Sequence, residues 1–373
     1  MRRRSFLQTT TGWTFGSILL PSFARADQDR ELGGGIRSDV VIIGGGLGGV
    51  AAALAALRAG LSVVMTEPTD WIGGQLTQQA VPPDEHRWIE THGATASYRQ
   101  LRNSIRDFYR QHYPLTPAQR DLQHLNPGGG SVSRLCHEPR VALAVMEAML
   151  APYRSAGRLT LLLRHRPIDA TTNQHRVENV MVKNELTGRT LSLEAPWFVD
   201  ASELGDLLPL TGTEFITGSE SKSQTGELHA SEKAGPENQQ AFTRCFAVDY
   251  DPEGDWTVER PQDYQFWRDH TPQLTPSWPG RLLDWTYTHP ASLQPKQLGF
   301  DPRGKATAGT LNLWLYRRLL AREHFQPGRF DSDITLVNWP QNDYLLGNLV
   351  GGSDEQAAKH IERAGQLSLS LLY

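Results

Sequence analysis

From Ser38 to Ile43 the chain carries an apolar run rich in β-branched residues, long enough for one buried strand, and the glycines at 44–49 stop it at once. Leu47 to Ala59 is rich in alanine and leucine and predicts a helix. Gly60 stands where a helix end favours positive φ, and Leu61 to Thr66 is a second apolar run. Strand, turn, helix and strand make a βαβ unit of about thirty residues. The same periods resume at Glu138-Pro139, where proline can open a helix: Val141 to Tyr153 has apolar positions at helical spacing, and Leu159 to Leu163 reads as a buried strand. Ile168 to Glu194 alternates in short stretches broken by Thr171-Thr172-Asn173 and Thr187-Gly188, the pattern of a β-meander. Trp197 to Ala201 is one more apolar strand, closing on Gly205-Asp206.

The pattern changes after Gly212. Ser219 to Gln240 is rich in Ser, Glu, Lys and Gly and predicts an exposed connector. Beyond it, Trp256, Trp267, Trp278, Trp285, Tyr287, Trp314, Tyr316 and Trp339 crowd together, enough to build a loop-rich core or a stacking surface. Ser353 to Tyr373 predicts a helix. The fold class expected is α/β: a Rossmann-like lobe with a parallel sheet and a β-meander, joined to a second, aromatic-rich α+β lobe. The boundaries expected are a leader at 1–26, a linker at 27–36, the first part of the Rossmann-like lobe with an inserted helical segment at 37–137, its second part at 138–212, a substrate lobe at 213–337, and a partial return toward the first lobe at 338–373.

With 373 residues, 39% apolar and 21% charged and a net charge of −4, the chain has room for two joined lobes and no basic surface for nucleic acid. No apolar run reaches the roughly eighteen residues that would span a bilayer. The N-terminus has its own layout: Arg2-Arg3-Arg4, then Ser5-Phe6-Leu7, a weakly apolar stretch from Thr9 to Leu20, and Ala24-Arg25-Ala26 as a small-x-small cleavage box. Arg3-Arg4-Ser5-Phe6-Leu7-Gln8 resembles a twin-arginine export signal, which implies a bacterial protein exported to the periplasm or beyond, already folded around any cofactor. The two cysteines, Cys136 and Cys245, lie in no CxxC pair and no zinc spacing, so two unpaired thiols and no metal site are expected.

Gly44, Gly46 and Gly49 form a GxGxxG turn in the context that gives the motif meaning: after a strand, opening a helix, with an acid at Glu67 beyond the second strand. Gly44 would make the tight turn, Gly46 would let backbone approach a pyrophosphate, and Gly49 would let helix and strand pack closely; the helix start offers free N–H groups to an anion. Glu67 can accept hydrogen bonds from a ribose. These features alone admit either a nicotinamide or a flavin dinucleotide.

Further motifs carry a resemblance. Asp39 to Gly49, Glu67 followed by Gly73-Gly74 and Gln75-Leu76-Thr77, and Val199-Asp200-Ala201-Ser202 with Gly205-Asp206 resemble, in this order, the two-lobed FAD-dependent oxidoreductases of the glutathione-reductase structural class. The resemblance implies FAD as cofactor. It places Gly44, Gly46, Leu47, Gly48 and Gly49 at the pyrophosphate, Glu67 at the adenosine ribose, and Gly73, Gly74 and Gln75 along the flavin. It also puts Ile168 beside adenine, and Ala201, Gly205 and Asp206 on the flavin side. That class normally returns to its cofactor lobe with a further strand and helix, whereas here Asn348-Leu349-Val350-Gly351-Gly352 leads into one helix, so a shortened return is expected.

Catalytic residues are harder to name, because a flavin accepts the hydride itself and the protein supplies position, a proton acceptor and electrostatics. Asn342, Asp343 and Tyr344, in a stretch that gathers amides, an acid, a phenol and an aromatic face, are candidates, as is His137 just ahead of a helix. The activity implied is hydride transfer from a small organic substrate, of the carbohydrate or polyol class, to FAD and on to oxygen, a quinone or a protein carrier. The alternative is a catalytically silent binding module built on the same fold.

Overall fold

In the computed structural model, residues 35–303 and 309–373 are described, and Gly35–Tyr373 forms one unit. The leader expected at 1–26 lies outside the described residues. Four parallel strands form the central sheet: β2 (Val40–Ile43), β3 (Val63–Glu67), β4 (Leu159–Leu163) and β8 (Trp197–Asp200), in the order β4-β3-β2-β8. Every residue of β2 and β3 is buried, as expected of central strands covered on both faces.

The pleat decides which side chain goes where. Val40 and Ile42 join Val63 and Met65 in a core with helix α1 (Leu47–Arg58) and the Pro139–Ser155 helix, through Val50, Ala53, Leu54, Leu57, Val145, Met146 and Leu150. Val41, Ile43 and Val64 point the other way, onto Val180, Val182 and Leu193. Those three belong to the meander β5 (His165–Asn173), β6 (Arg176–Asn184) and β7 (Thr190–Glu194), whose strands pair antiparallel, with the short β1 (Ile36–Arg37) alongside β7. The result is three layers: helices, parallel sheet, meander.

Helix α1 ends as its sequence dictates. The Gly60 amide donates to the Leu57 carbonyl and that of Leu61 to the Ala56 carbonyl, with Gly60 at φ +92°. Helix α2 (Ala96–His112) is the principal element that the apolar pattern left vague. Thr95 caps it by accepting from the Tyr98 amide, and its buried face carries Arg102 and Arg106 beside Leu101, Ile105 and Tyr109. These guanidinium groups are matched by carboxylates: Arg102 bonds Glu85 at 2.6 Å and Glu90 at 2.5 Å, and Arg106 bonds Glu90 at 2.5 Å.

The second half is built on a three-stranded antiparallel sheet of Phe246–Asp249, Ile334–Val337 and Arg318–Leu320. Leu319 and Leu336 pack on Val81, just beyond the paired glycines of the first half. Of the crowded aromatics, Trp267, Trp314 and Trp339 are buried as core, while Trp256 is 72% exposed. Ser353 caps the closing helix, Asp354–Leu372, in a capping box with Gln356. Cys136 and Cys245 are both free; burial pushes their thiols up to about 12 and about 11.

Candidate cofactor site

The carboxyl ends of β2, β3 and β8 meet at one crest, and the sequence between 44 and 49 crosses it. Gly44 has φ +102°, and a Cβ there would sit 2.2 Å from the Ala201 carbonyl oxygen. Gly49 faces back toward the turn, where a Cβ would fall 2.0 Å from the Gly44 carbonyl oxygen. No other residue type fits at either position. A Cβ on Gly48, by contrast, would meet nothing beyond its own helix within 4 Å. The first intrahelical bond of α1 runs from the Val50 amide to the Gly46 carbonyl at 3.0 Å. The N–H groups of Leu47, Gly48 and Gly49 therefore have no acceptor within the helix, and they face the mouth of the turn with the positive end of the helix dipole.

Three neighbouring segments are tied to this turn. Glu67, 2% exposed at the end of β3, accepts from the Gly45 amide at 3.1 Å and, through its other oxygen, from the Thr69 amide at 2.9 Å and hydroxyl at 2.6 Å. The Gly73 amide donates to the Gly45 carbonyl at 2.8 Å, and Gly73 and Gly74 both take positive φ, so the paired glycines lie against the turn. The Ala201 amide donates to the Ile43 carbonyl at 2.7 Å and extends the sheet by one bond past β8. Asp200 then organises the following loop, accepting from the Ser202 amide at 3.0 Å, the Ser202 hydroxyl at 2.6 Å and the Leu207 amide at 3.0 Å.

A cavity of about 200 Å³ opens at the crest, lined by Gly44, Gly46, Thr66, Glu67, His165, Pro167, Ala201, Ser202, Glu203 and Asp206 among others. Burial, reinforced by the nearby Asp200 and offset by Arg166, holds the Asp206 carboxyl above the usual range. Among the residues marked out by the sequence, Gly44, Gly46, Glu67, Ala201 and Asp206 line this cavity. Leu47, Gly48 and Gly49 form the helix start beside it; Gly73 and Gly74 flank it; Gly205, at φ +72°, turns the chain into Asp206.

Two assignments shift. Gln75 is directed into the following loop, its amide donating to the Pro82 carbonyl at 3.3 Å and to Asp84 at 3.2 Å. Ile168 does not line the cavity: the β5–β6 register slips between Pro167 and Asp169, leaving Ile168 as a bulge residue, and His165 and Pro167 on the inner face line the cavity instead. His165, Pro167, Thr66, Ser202 and Glu203 are cavity residues that motif reading missed. The alternation that puts His165 and Pro167 on one face was present in the chain, but the bulge that removes Ile168 from it was not.

None of the catalytic candidates lies on the cavity. His137 is 2% exposed, with Nδ1 3.0 Å from the Glu138 carbonyl and Nε2 buried without a partner; burial drives it down to about 4. Asn342 is fully buried, accepting from the Trp339 amide at 2.9 Å and donating to the Ser368 hydroxyl at 3.2 Å. Asp343 accepts from the Thr243 hydroxyl, and burial raises its carboxyl. The Tyr344 hydroxyl pairs with His360 Nδ1 at 2.9 Å. Asn342, Asp343 and Tyr344 are bonded to interior partners, and His137 is buried beside Glu138. Among the described residues there is no His, Cys, Asp and Glu cluster able to hold a metal, and no helix is long and apolar enough to cross a membrane.

The glycine cradle, the buried acid and the helix start with free N–H groups suit the adenosine diphosphate end of a dinucleotide. Solved structures similar in part to the chain include a myxobacterial chondrochloren halogenase of the FAD-dependent type (20% identity, TM-score 0.29, 44% of this chain and 37% of that one). A flavin-dependent monooxygenase in complex with FAD and substrate matches at 18% identity and TM-score 0.29, over 48% of this chain and 32% of that one. The glycerol-3-phosphate dehydrogenase of Bacillus halodurans, complexed with FAD, matches at 19% identity and TM-score 0.27, over 44% of this chain and 34% of that one. The chain thus spans about a third of the length of each. No curated protein matches it significantly. The model of the FAD dependent oxidoreductase family matches residues 39–373, the turn and both halves of the fold together, and the chain belongs to that family.

Proposed function

We propose that the chain is an FAD-dependent oxidoreductase of the glutathione-reductase structural class that takes a hydride from a small organic substrate of the carbohydrate or polyol class. FAD, when bound, supplies the two-electron acceptor. The chain's own residues do the rest. The N–H groups of Leu47, Gly48 and Gly49 face the diphosphate, Gly46 admits it closely, and Glu67, already fixed by Gly45 and Thr69, presents its carboxylate to the adenosine ribose. Gly73, whose missing side chain makes way for Met146, ties the segment to Gly45, and Gly74 leaves room beside the turn for the cofactor to run toward the second half. There Val81, Leu319 and Leu336 make an apolar junction that excludes water.

The observation that carries this reading is the cradle itself: two glycines that tolerate no side chain, a third that faces open space, and a buried acid bonded to the turn. The meander inserted between β4 and β8, stacked on the parallel sheet, supports the structural class. The preference for a carbohydrate or polyol rests on the rings of the second half that stay open to solvent, Trp256 and Trp285 among them, since sugar faces stack on such rings. The twin-arginine-like leader supports export to the periplasm or beyond.

The test is to purify the chain after expression with ample flavin, record its visible absorbance and release the cofactor by denaturation. FAD is expected in the supernatant, and anaerobic addition of sugars and polyols should bleach the bound flavin. A folded protein carrying no flavin would overturn the enzyme reading in favour of the silent binding module. Fractionation of bacterial cells, with Arg3 and Arg4 replaced by Lys in a parallel sample, tests export.

A further inference from the structure

Glu203 stands out in the cavity because its charge has the same sign as the group the cradle is built for. Its Oε1 lies where it would be 3.2 Å from a Cβ on Gly46 and 2.9 Å from one on Gly74. One carboxylate oxygen is thus wedged between the dinucleotide turn and the paired glycines, over the start of α1. A diphosphate approaching Gly46 and the N–H groups of Leu47 and Gly48 needs this same volume. Its arrival would set two anions within a few ångströms of each other, and like charges that close repel.

The loop carrying Glu203 is pinned at both ends and open in the middle. Asp200 holds Ser202 and Leu207, and the Asp206 amide donates to the Ser202 hydroxyl at 2.7 Å. Glu203 and Leu204 form the exposed tip between these anchors. The Glu203 side chain can therefore leave the cradle without disturbing the sheet. In the cradle its charge is favoured by the positive end of α1.

We infer that Glu203 is an electrostatic gate on the cofactor seat: its carboxylate competes with the diphosphate for the space beside Gly46 and Gly74 at the α1 N-terminus and must swing out for FAD to bind. This rests on the reading that the Gly44–Gly49 turn holds FAD. The gate makes FAD loading an exchange of one anion for another, so FAD affinity is lower than the cradle alone would give.

The experiment is a titration of flavin-stripped full-length protein with FAD, followed by quenching of flavin fluorescence, for wild type, Glu203→Gln and Glu203→Ala. Both variants are expected to bind FAD about tenfold more tightly, and raising the salt concentration should narrow the gap as the repulsion is screened. ADP, which carries the diphosphate without the flavin, should show the same gain in competition. If wild type binds FAD and the variants bind it equally or more weakly, Glu203 is a bystander or a cofactor contact and the gate falls. If all three proteins, folded by circular dichroism, bind no FAD, then the cofactor-site reading falls and the gate with it.

Discussion

The Gly45 amide and the Glu67 carboxylate meet at 3.1 Å across the ends of two parallel strands, so the acid expected to receive a ribose also fixes the turn expected to receive the diphosphate. One side chain thus couples the shape of the turn to the position of the carboxylate. Replacing Glu67 by Ala leaves the buried Gly45 amide without its acceptor, a loss of about 1–3 kcal/mol, and frees the half-buried Thr69 amide as well. FAD affinity should fall at least tenfold, with a lower melting temperature in the flavin-free protein. Glu67→Gln, which keeps one acceptor oxygen and turns an NH2 toward the other donors, should recover part of the melting temperature but not the affinity. Equal melting curves for wild type and Glu67→Ala would show that the bond contributes nothing to the turn.

The glycines of the turn predict opposite outcomes one residue apart. A Cβ at Gly49 would meet the Gly44 carbonyl at 2.0 Å, and backbone cannot yield as a flexible side chain can, so Gly49→Ala should destabilise the β2–α1 junction and abolish flavin retention. Gly48→Ala meets nothing within 4 Å, and alanine favours a helix by about 1 kcal/mol over glycine, so its flavin-free form should melt at or above the wild-type temperature. Thermal melts of the two flavin-free variants, side by side, decide it. A stable Gly49→Ala protein would mean that the turn is looser than the contact implies.

Much of the first half could be read from the chain because its signals are local. β2 and β3 are unbroken apolar runs, α1 is bracketed by glycines, and the GxGxxG turn lies between them; in such segments neighbouring residues determine the outcome. What escaped reading depended on distant partners. Helix α2 buries Arg102 and Arg106, which look like surface residues until Glu85 and Glu90 are brought to them from a loop at least twelve positions away. Ile168 occupies the expected strand, yet a bulge visible only against β6 turns it from the cavity and gives its place to Pro167. Asn342 and Tyr344 looked available because Ser368 and His360, their partners, come from the last helix.

His137 predicts a pH dependence of stability. Burial holds its folded-state value at about 4, below the ordinary 6.5. Between these values the unfolded chain takes up a proton that the folded chain refuses, so stability is full above about 6.5 and declines as pH falls toward 4. The shift corresponds to roughly 3 kcal/mol across that window. His137→Phe, which fills the same space and removes the buried unpartnered Nε2, should flatten this part of the curve of melting temperature against pH. An unchanged slope would assign the acid sensitivity to other groups.

The charge cluster on α2 predicts a further loss at lower pH and a strong effect of a single change. For Glu90, burial alone would raise the carboxyl, but the hydrogen bond from Arg106 and the charges of Arg106, Arg102 and His124 prevail and hold it below 4.5. Its contribution is therefore present above about 4.5 and disappears as pH drops through the lowered folded-state value. Glu90→Gln leaves Arg102 and Arg106, each nearly fully buried, with only part of their counter-charge. Breaking a buried ion pair from one side typically costs about 3–5 kcal/mol, whereas an apolar replacement of all partners can be neutral. Urea unfolding should show Glu90→Gln well below wild type, with Arg102→Met, Arg106→Leu, Glu85→Gln and Glu90→Leu combined recovering much of the difference. If the single and the combined variants were equally unstable, the cluster would be acting through packing of α2 and not through its charges.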